Sequence, residues 1–274
     1  MKNYKNISRF YFIVALFLVQ ACVHAGGLPP TKTLDGLKYI DFGSGEYTLV
    51  FETGLNESFD TAWAALIPNL ENINQRVIMY SRAGIGGSDS ASSYSLDATN
   101  KRLNTLLTSL GANNKLFLIG QSYGGLVVRQ YATRYPGDVE GLVLLDPAVE
   151  GWAQGLMNLK VPGAYEQVNG MNTSLFGMAP DGPNLILIYA GGAMSDKGDV
   201  NIDPTLVVTA SKVYVSEFVG STKQGKKLWR ELHSALISEN SNSVNTISAK
   251  IDHMPPPEMI VNTIEQAIYM NDLK

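Results

Sequence analysis

Residues 115–125 read KLFLIGQSYGG, and the fold can be inferred outward from them. An apolar run is followed by Gly120, Ser122 and Gly124 in the pattern G-x-S-x-G, and the residues after it show helical periodicity. A serine with glycine two positions away on each side fits a sharp strand-to-helix turn, because a side chain at either glycine would collide with the flanking strand or helix. The pattern predicts a buried strand, a turn that presents the Ser122 hydroxyl, and a helix.

Short apolar runs recur along the chain and alternate with helical segments from residue 76 onward. Runs such as LFLI and LVLL are apolar on both faces, which is typical of central strands in a parallel sheet covered by helices. The sequence therefore predicts an α/β fold with a mostly parallel central sheet. The predicted strands are Leu37–Phe42, Tyr47–Glu52, Arg76–Tyr80, Lys115–Ile119, Gly141–Leu145, Asn184–Tyr189 and Val244–Ile251, and the predicted helices are Ser95–Leu110, Gly124–Tyr135 and Glu258–Met270. The short turn at 43–46 predicts that the first two strands form an antiparallel hairpin at one edge.

Four sequence blocks in this order make the chain similar to the α/β-hydrolase superfamily, and to its serine esterase and lipase-like members. They are FETGL at 51–55, YSRAGIGGS at 80–88, GQSYGG at 120–125 and RYPGDVEGLVLLD at 134–146. The resemblance extends from about Leu37 to the C terminus. It implies the α/β-hydrolase fold, with helices flanking the sheet and a small cap between strands 6 and 7 of that fold.

A serine nucleophile needs a general base, which is most often histidine. His24 lies in an N-terminal segment that we expect to be removed, and His233 lies in a predicted amphipathic helix, Lys227–Leu236, which favours a surface or packing role. His253 follows the last predicted strand and precedes three prolines, so it lies on a loop at the carboxyl end of a strand, where an open α/β sheet builds its site. The resemblance implies the same position, and His253 is the predicted base.

Two carboxylates are candidates for the group that orients the histidine. Asp146 comes directly after the predicted strand Gly141–Leu145, and a subset of the similar hydrolases carries its acid there. More members carry it after the following strand, where this chain has Asp196 without the usual Gly-x-x-Asp spacing. Asp146 is the preferred candidate and Asp196 the alternative. Either one keeps the chain order of nucleophile, acid and histidine.

Backbone N–H groups stabilise the oxyanion that develops in acyl transfer. In the α/β-hydrolase fold one of them belongs to the residue after the nucleophile, here Tyr123, and the resemblance places the other at Leu55. The segment at about 147–183 is predicted to be the cap. Its apolar side chains, such as Trp152 and Met171, are compatible with a pocket for a partly apolar acyl substrate and equally with packing of the cap onto the core.

The first 25 residues are predicted to be a signal peptide. Lys2, Lys5 and Arg9 precede an apolar run at 10–19 that is too short to span a bilayer comfortably. Cleavage before Gly26 would remove three positive and no negative charges and take the formal charge from −4 to −7. Cys22 lies in a stretch that resembles a lipoprotein cleavage box, so lipidation is the alternative. Either route exports the protein to the periplasm or the medium, with membrane attachment only if Cys22 is lipidated.

The composition argues against several function classes for the predicted single domain, residues 26–274. The acidic charge and the absence of a basic run after the first ten residues argue against nucleic-acid binding. A single cysteine argues against disulfide scaffolds and cysteine enzymes. Two distant histidines form no metal motif, and the glycines at 84–87 lack the context of a dinucleotide or phosphate loop, so neither a metal nor a cofactor is predicted.

These features predict an exported serine hydrolase that cleaves a carboxylic ester or a related acyl compound through an acyl-enzyme intermediate. The predicted site residues are Ser122, Asp146 and His253, with the N–H groups of Leu55 and Tyr123. Two alternatives stay open, since fold alone does not fix function. One is a non-catalytic ligand-binding or sensing protein on the same scaffold, and the other is an acyltransferase that uses the same three side chains.

Overall fold

The computed structural model describes residues 29–171, 177, 179–191, 194, 202–214 and 218–274. The predicted signal peptide with Cys22, and the alternative acid Asp196, lie outside the described residues. Within these ranges, no helix has the length and apolarity that crossing a bilayer requires.

One eight-stranded sheet runs through the described part of the chain in the order β1-β2-β4-β3-β5-β6-β7-β8. Strands β3 to β8 are mutually parallel, whereas β2 pairs antiparallel with both β1 and β4. The predicted mostly parallel sheet is therefore confirmed. The strands are β1 (Lys32–Leu34), β2 (Leu37–Phe42), β3 (Thr48–Glu52), β4 (Arg76–Tyr80), β5 (Leu116–Gln121), β6 (Val139–Leu145), β7 (Thr205–Ala210) and β8 (Ser243–Ser248).

Helices cover both faces of the sheet. Three predicted helices are found within two residues of their predicted ends, and the fourth, predicted at Lys227–Leu236, begins four residues earlier, at Lys223. Ser95 and Thr222 cap two of them, since their side chains accept hydrogen bonds from the N–H groups of Ala98 and Gly225. The helices are α1 (Phe59–Ala62), α2 (Ile67–Leu70), α3 (Leu96–Ser109), α4 (Tyr123–Arg134), α5 (Trp152–Asn158), α6 (Ala164–Met171), α7 (Gly182–Gly191), α8 (Lys223–Ala235) and α9 (Pro257–Asp272).

The central strands are buried on both faces because alternate residues enter two different cores. In β5, Phe117 and Ile119 pack into the core on the side of α9, whereas Leu116 and Leu118 pack into the core on the side of α3 and α4. This explains why the run LFLI lacks the apolar and polar alternation of a half-exposed strand. Packing on both faces therefore fixes the position of the carboxyl end of β5 in the middle of the sheet.

The predicted hairpin of Leu37–Phe42 with Tyr47–Glu52 was wrong. β4 lies between β2 and β3, so that β2 pairs antiparallel with β4 while β3 pairs in parallel with β4 and β5. Every residue of β3 is buried, which requires a neighbour on both sides and does not suit a strand in an edge hairpin. A short turn determines only where the chain reverses direction. Which strands pair with β3 depends on its burial in the middle of the sheet.

The predicted strand Asn184–Tyr189 was also wrong, because these residues lie in α7. Leu185, Ile188 and Tyr189 are buried while Leu187 is 69% exposed, which is helical spacing. A short apolar run cannot be assigned to strand or buried helix by periodicity alone. The parallel strand that follows β6 is β7, Thr205–Ala210, which was not predicted from the sequence.

The helices α5, α6 and α7 all belong to the stretch between β6 and β7, which we call the inserted segment (residues 147–204). The prediction placed the cap at about 147–183, before a predicted strand whose residues lie in α7. The described part of the inserted segment packs on α4: Leu156, Leu185 and Ile188 share an apolar cluster with Tyr123 and Leu126. The described part of the segment thus lies against the helix that begins directly after Ser122.

Candidate active site

Ser122 lies on the turn between β5 and α4 in a strained backbone conformation. Its φ is 50° and its ψ is −118°, a region that residues with a side chain rarely adopt. Its N–H donates to the carbonyl of Leu145, and its carbonyl accepts from the N–H groups of Gly125 and Ala148. The bonds to Leu145 and Ala148 hold the strained turn against the end of β6 and the residues after it, and the bond from Gly125 closes the turn itself.

The glycines two positions before and after Ser122 are required by close backbone contacts. A Cβ atom on Gly120 would lie 2.6 Å from the carbonyl oxygen of Gly124, and a Cβ atom on Gly124 would lie 2.6 Å from the carbonyl oxygen of Glu52. Such separations are far inside van der Waals contact, and the obstructing atoms belong to the backbone, which cannot rotate away. The steric reason for G-x-S-x-G is therefore visible in this turn.

Asp146 follows β6 directly and is only 1% exposed. Its Oδ1 accepts from the Ala210 N–H at 2.8 Å and from the Trp229 Nε1–H at 2.7 Å, and its Oδ2 lies 2.6 Å from His253 Nδ1. Burial alone would raise the pKa of Asp146, but the hydrogen bond and positive charge of His253, with the Trp229 donor, hold that pKa below its ordinary value. The carboxylate is therefore ionised at neutral pH.

His253 lies on the loop between β8 and α9, and its side chain is 56% exposed. Because its Nδ1 faces the ionised carboxylate of Asp146, that nitrogen carries the proton in the neutral ring, and Nε2 is left as a proton acceptor. Its backbone carbonyl accepts a hydrogen bond from Gln121 Nε2 at 3.3 Å. The residue before Ser122 thus ties the histidine loop to the serine turn.

His233, the other histidine outside the N-terminal segment, is completely buried on α8. Its Nε2 lies 2.9 Å from the Pro147 carbonyl and its Nδ1 lies 2.9 Å from Thr209 Oγ1. Burial lowers the pKa of His233 to about 4, so the ring is neutral at physiological pH. The ring packs against Trp229 at a centroid distance of 4.3 Å. His233 therefore packs behind the Asp146 side chain and takes the packing role that its helix predicted.

Ser122, Asp146 and His253 line one cavity of about 320 Å³. Leu55, a predicted oxyanion donor, lines the same cavity, and Tyr123 directly follows Ser122 at the start of α4. The remaining wall is mainly apolar: Ala148, Trp152, Met171, Leu185, Tyr189, Phe218, Gly220, Ser221, Lys226 and Trp229. The structure thus brings the predicted site residues to one place and supplies an apolar surface beside them, partly from the inserted segment.

Some residues at this edge of the sheet were not recognised from the sequence. Trp229 was seen only as part of a helix, although its spacing of four residues from His233 places both on one face of α8. Glu52, Arg82 and Asp181 form a buried ion cluster. The sequence shows only that each of these three charged residues stands among uncharged neighbours. Because they are far apart in sequence, their contact could not be predicted. Within the described ranges, no three His, Cys, Asp or Glu side chains are grouped as a metal site would require.

Comparison with known proteins agrees with this architecture. Residues 47–172 match the family model described as alpha/beta hydrolase fold. The chain is 32% identical over 123 residues to the uncharacterized protein YqjL of Bacillus subtilis, covering 43% of this chain and 48% of that protein. It is 27% identical over 131 residues to protein phosphatase methylesterase 1 of Candida albicans, covering 46% of this chain and 33% of that protein. The matched region spans less than half of either relative.

Among solved structures, alpha/beta hydrolase domain-containing protein 10 from mouse is similar over 90% of this chain and 100% of that chain, with a TM-score of 0.64 and 16% identity. At this identity the likeness concerns the fold. The family match covers the segment from β3 through Ser122 and Asp146 into α6, and the structural likeness extends over the rest of the sheet. The chain therefore has the alpha/beta hydrolase fold, and its residues 47–172 match that family.

Proposed function

We propose that this protein is a serine hydrolase that cleaves a carboxylic ester or a related acyl compound, with Ser122 as nucleophile, His253 as general base and Asp146 as the orienting acid. The observation that carries the proposal is the 2.6 Å contact between His253 Nδ1 and Asp146 Oδ2 beside a cavity that Ser122 also lines. A serine on a strained turn and an oriented imidazole are the parts that acyl transfer needs.

In the proposed reaction, Ser122 Oγ attacks the carbonyl carbon of the ester and its proton passes to His253 Nε2. Asp146 stabilises the resulting imidazolium, and the N–H groups of Leu55 and Tyr123 donate to the oxyanion. The carbon–oxygen bond to the alcohol then breaks as His253 returns the proton to the leaving oxygen. Water repeats the sequence on the acyl-enzyme, which releases the carboxylic acid and restores Ser122.

The apolar wall formed by Trp152, Met171 and Leu185 supports a substrate with a partly apolar acyl or alcohol group. The likeness to a methylesterase supports ester cleavage in general, without defining the ester. Acyl transfer to an alcohol would use the same groups, and it would appear as an ester product when alcohol is added to the assay. A ligand-binding role would leave the cavity occupied and Ser122 unreactive.

The test is hydrolysis of p-nitrophenyl acetate and butyrate by the wild type and by Ser122→Ala and His253→Ala. Loss of either group should reduce the rate at least a thousandfold, because the three side chains act as a unit. Ser92→Ala, at an exposed serine, is the matched control and should retain full activity. A fluorophosphonate label that maps to Ser122 would identify this residue as the nucleophile. A folded wild type that neither hydrolyses nor reacts would contradict the proposal.

We also propose that the protein is exported, on the basis of residues 1–25. Expression of the full chain in a bacterium should yield a mature protein that begins at Gly26 and is recovered from the periplasm or the medium. An N terminus at a lipid-modified Cys22 would instead indicate anchoring, and Cys22→Ala would then release the protein. Recovery of the uncleaved chain from the cytosol would contradict export.

A further inference from the structure

Arg82 joins three parts of the molecule inside the protein. Its guanidinium is 3% exposed and contacts Glu52 Oε2 at 2.8 Å and Asp181 Oδ2 at 2.6 Å. The same group donates to the Thr53 carbonyl at 2.9 Å and to the Gly54 carbonyl at 2.6 Å. Glu52 ends β3, Gly54 lies in the loop that follows, and Asp181 belongs to the inserted segment. One side chain therefore connects the sheet, this loop and the inserted segment.

The bond to Gly54 fixes the direction of the Leu55 N–H. The carbonyl of Gly54 and the N–H of Leu55 belong to one planar trans peptide and point in opposite directions. A donor that holds the carbonyl on one side therefore aims the N–H to the other. The peptide before Gly54 is held as well, since the Gly54 N–H donates to Glu57 Oε2 at 3.1 Å. Both peptide planes around Gly54 are thus restrained.

The link to the inserted segment runs through Asp181. This residue is 3% exposed and immediately precedes α7, which supplies Leu185 and Tyr189 to the cavity wall. Both Arg82 Nε and Arg82 Nη2 donate to its Oδ2. A shift of α7 would therefore change the position of the guanidinium that holds the Gly54 carbonyl.

We propose that Arg82 is a positioning residue that aims the Leu55 N–H at the oxyanion, and that Asp181 makes this alignment depend on the seating of α7. The inference rests on the proposed function, since it assigns a role to that N–H in acyl transfer. Filling the apolar cavity against α7 would then stabilise the same arrangement that orients the donor. Substrates that contact Leu185 and Tyr189 gain in kcat, because their binding supports the alignment.

The test compares ester and thionoester substrates of the same structure in Arg82→Lys and Asp181→Asn. Lysine keeps the charge but cannot reach all of these acceptors, and asparagine keeps the volume but weakens the ion pair. Since sulfur accepts hydrogen bonds weakly, a misaimed N–H should slow the ester more than the thionoester. We expect kcat for the ester to fall about tenfold to a hundredfold, with a smaller change in KM and a lower ester to thionoester ratio.

The matched control is Arg129→Lys, which alters another nearly buried arginine, whose guanidinium pairs with Glu150, whereas the Gly54 carbonyl accepts from Arg82. It should leave the ester to thionoester ratio unchanged. Amide hydrogen exchange at residues 53–56 gives a second readout, and it should be faster in Asp181→Asn than in the wild type and Arg129→Lys.

The possible results separate this inference from the proposed function. Hydrolysis that survives in Ser122→Ala would overturn the proposed function and the oxyanion role together. Hydrolysis that depends on Ser122, with an unchanged ratio and unchanged exchange in Asp181→Asn, would overturn only the positioning role. A fall of both substrates in equal proportion in Arg82→Lys would have the same meaning, because a merely structural defect does not distinguish oxygen from sulfur.

Discussion

Asp146 and Glu52 are two carboxylates buried at the same edge of the sheet, and they differ in how they are hydrogen bonded. Their exposures are 1% and 0%. Asp146 receives two N–H donors on one oxygen and faces His253 with the other. Glu52 receives one Arg82 donor on Oε2, while its Oε1 has no partner among the described residues. Two equally buried carboxylates therefore differ in the number of hydrogen-bond donors that stabilise their negative charge.

The two pKa values move in opposite directions for this reason. The donors around Asp146 hold its pKa below the ordinary value despite burial. Glu52 shares Arg82 with Asp181, so two carboxylates face one guanidinium, and burial raises the pKa of Glu52 to about 7. The number and charge of the donors decide whether a buried carboxylate stays ionised. Asp146 is equipped to stabilise an imidazolium, whereas Glu52 is equipped to bind a proton near neutral pH.

The largest expected effect is that of Asp146→Asn. An amide cannot stabilise the imidazolium and favours the wrong tautomer of His253, so kcat should fall about a thousandfold to ten-thousandfold while the fold is retained. The measurement is steady-state hydrolysis of p-nitrophenyl butyrate, with circular dichroism to check folding. Asp252→Asn, at an exposed carboxylate next to His253, is the control and should change kcat little. A large loss in Asp196→Asn with an active Asp146→Asn would instead identify Asp196 as the acid.

The next effect concerns the dependence of stability on pH in Glu52→Gln. The folded pKa of Glu52, about 7, exceeds the ordinary value of 4.5, so the folded state binds the extra proton between these values. This contribution to the free energy of unfolding is complete below pH 4.5 and is lost as the pH rises towards 7, by roughly 3 kcal/mol. Glutamine resembles the protonated acid and should remove this component from the pH dependence.

Urea unfolding of both proteins at several pH values between 4.5 and 8 measures the difference. The wild type should lose stability relative to Glu52→Gln as the pH rises. Parallel curves for the two proteins would mean that Arg82 keeps Glu52 ionised, and the contrast with Asp146 would then fail. The same change at Glu46, an exposed partner of Lys115, should leave the pH dependence unaltered.

The smallest expected effect is that of Trp229→Phe, which deletes one donor to Asp146 and keeps an aromatic ring beside His233. With one donor fewer, the carboxylate is more basic and stabilises the His253 imidazolium more strongly. The acid limb of kcat/KM should move to higher pH, and kcat/KM at neutral pH should fall about tenfold, the equivalent of one charge-assisted hydrogen bond.

Trp63→Phe is the matched control, because the Nε1–H of this buried tryptophan has no partner among the described residues. It should leave the pH profile of kcat/KM in place. An unchanged acid limb in Trp229→Phe would mean that the Ala210 N–H alone sets the state of Asp146. Of the two N–H donors on Asp146 Oδ1, only that of Ala210 would then distinguish Asp146 from Glu52.

Local patterns predicted the elements that depend on local sequence. The turn at Ser122 and the helix after it follow from two glycines whose Cβ atoms would have no room, and the strand before it from a run that is apolar on both faces. His253 was selected because a loop at the carboxyl end of a strand is where an open α/β sheet builds its site, and Asp146 was selected because a subset of the similar hydrolases carries its acid after that strand. Their mutual contact is a result of the sheet order, which places β6 and β8 on either side of β7.

Predictions failed where neighbours outweigh local preference. The short apolar run in α7 resembles a strand, but it is helical and packs against Tyr123 and Leu126. The turn at 43–46 suggested a hairpin, but β4 occupies the place between β2 and β3. In both segments a short apolar pattern satisfies two geometries equally well. Burial against distant residues selects one of them.

The position of the nucleophile candidate, the parallel sheet and the loop that carries His253 could be predicted from local patterns, because glycine, proline and apolar spacing act over a few residues. The donors that surround Asp146 and Glu52 could not be predicted in this way, because they come from segments that are distant in sequence. Trp229 lies 83 residues from Asp146, and Asp181 lies 99 residues from Arg82. Such contacts form when the sheet and the inserted segment pack together. Burial then raises the free-energy cost of losing any one hydrogen bond, because water no longer offers an alternative partner.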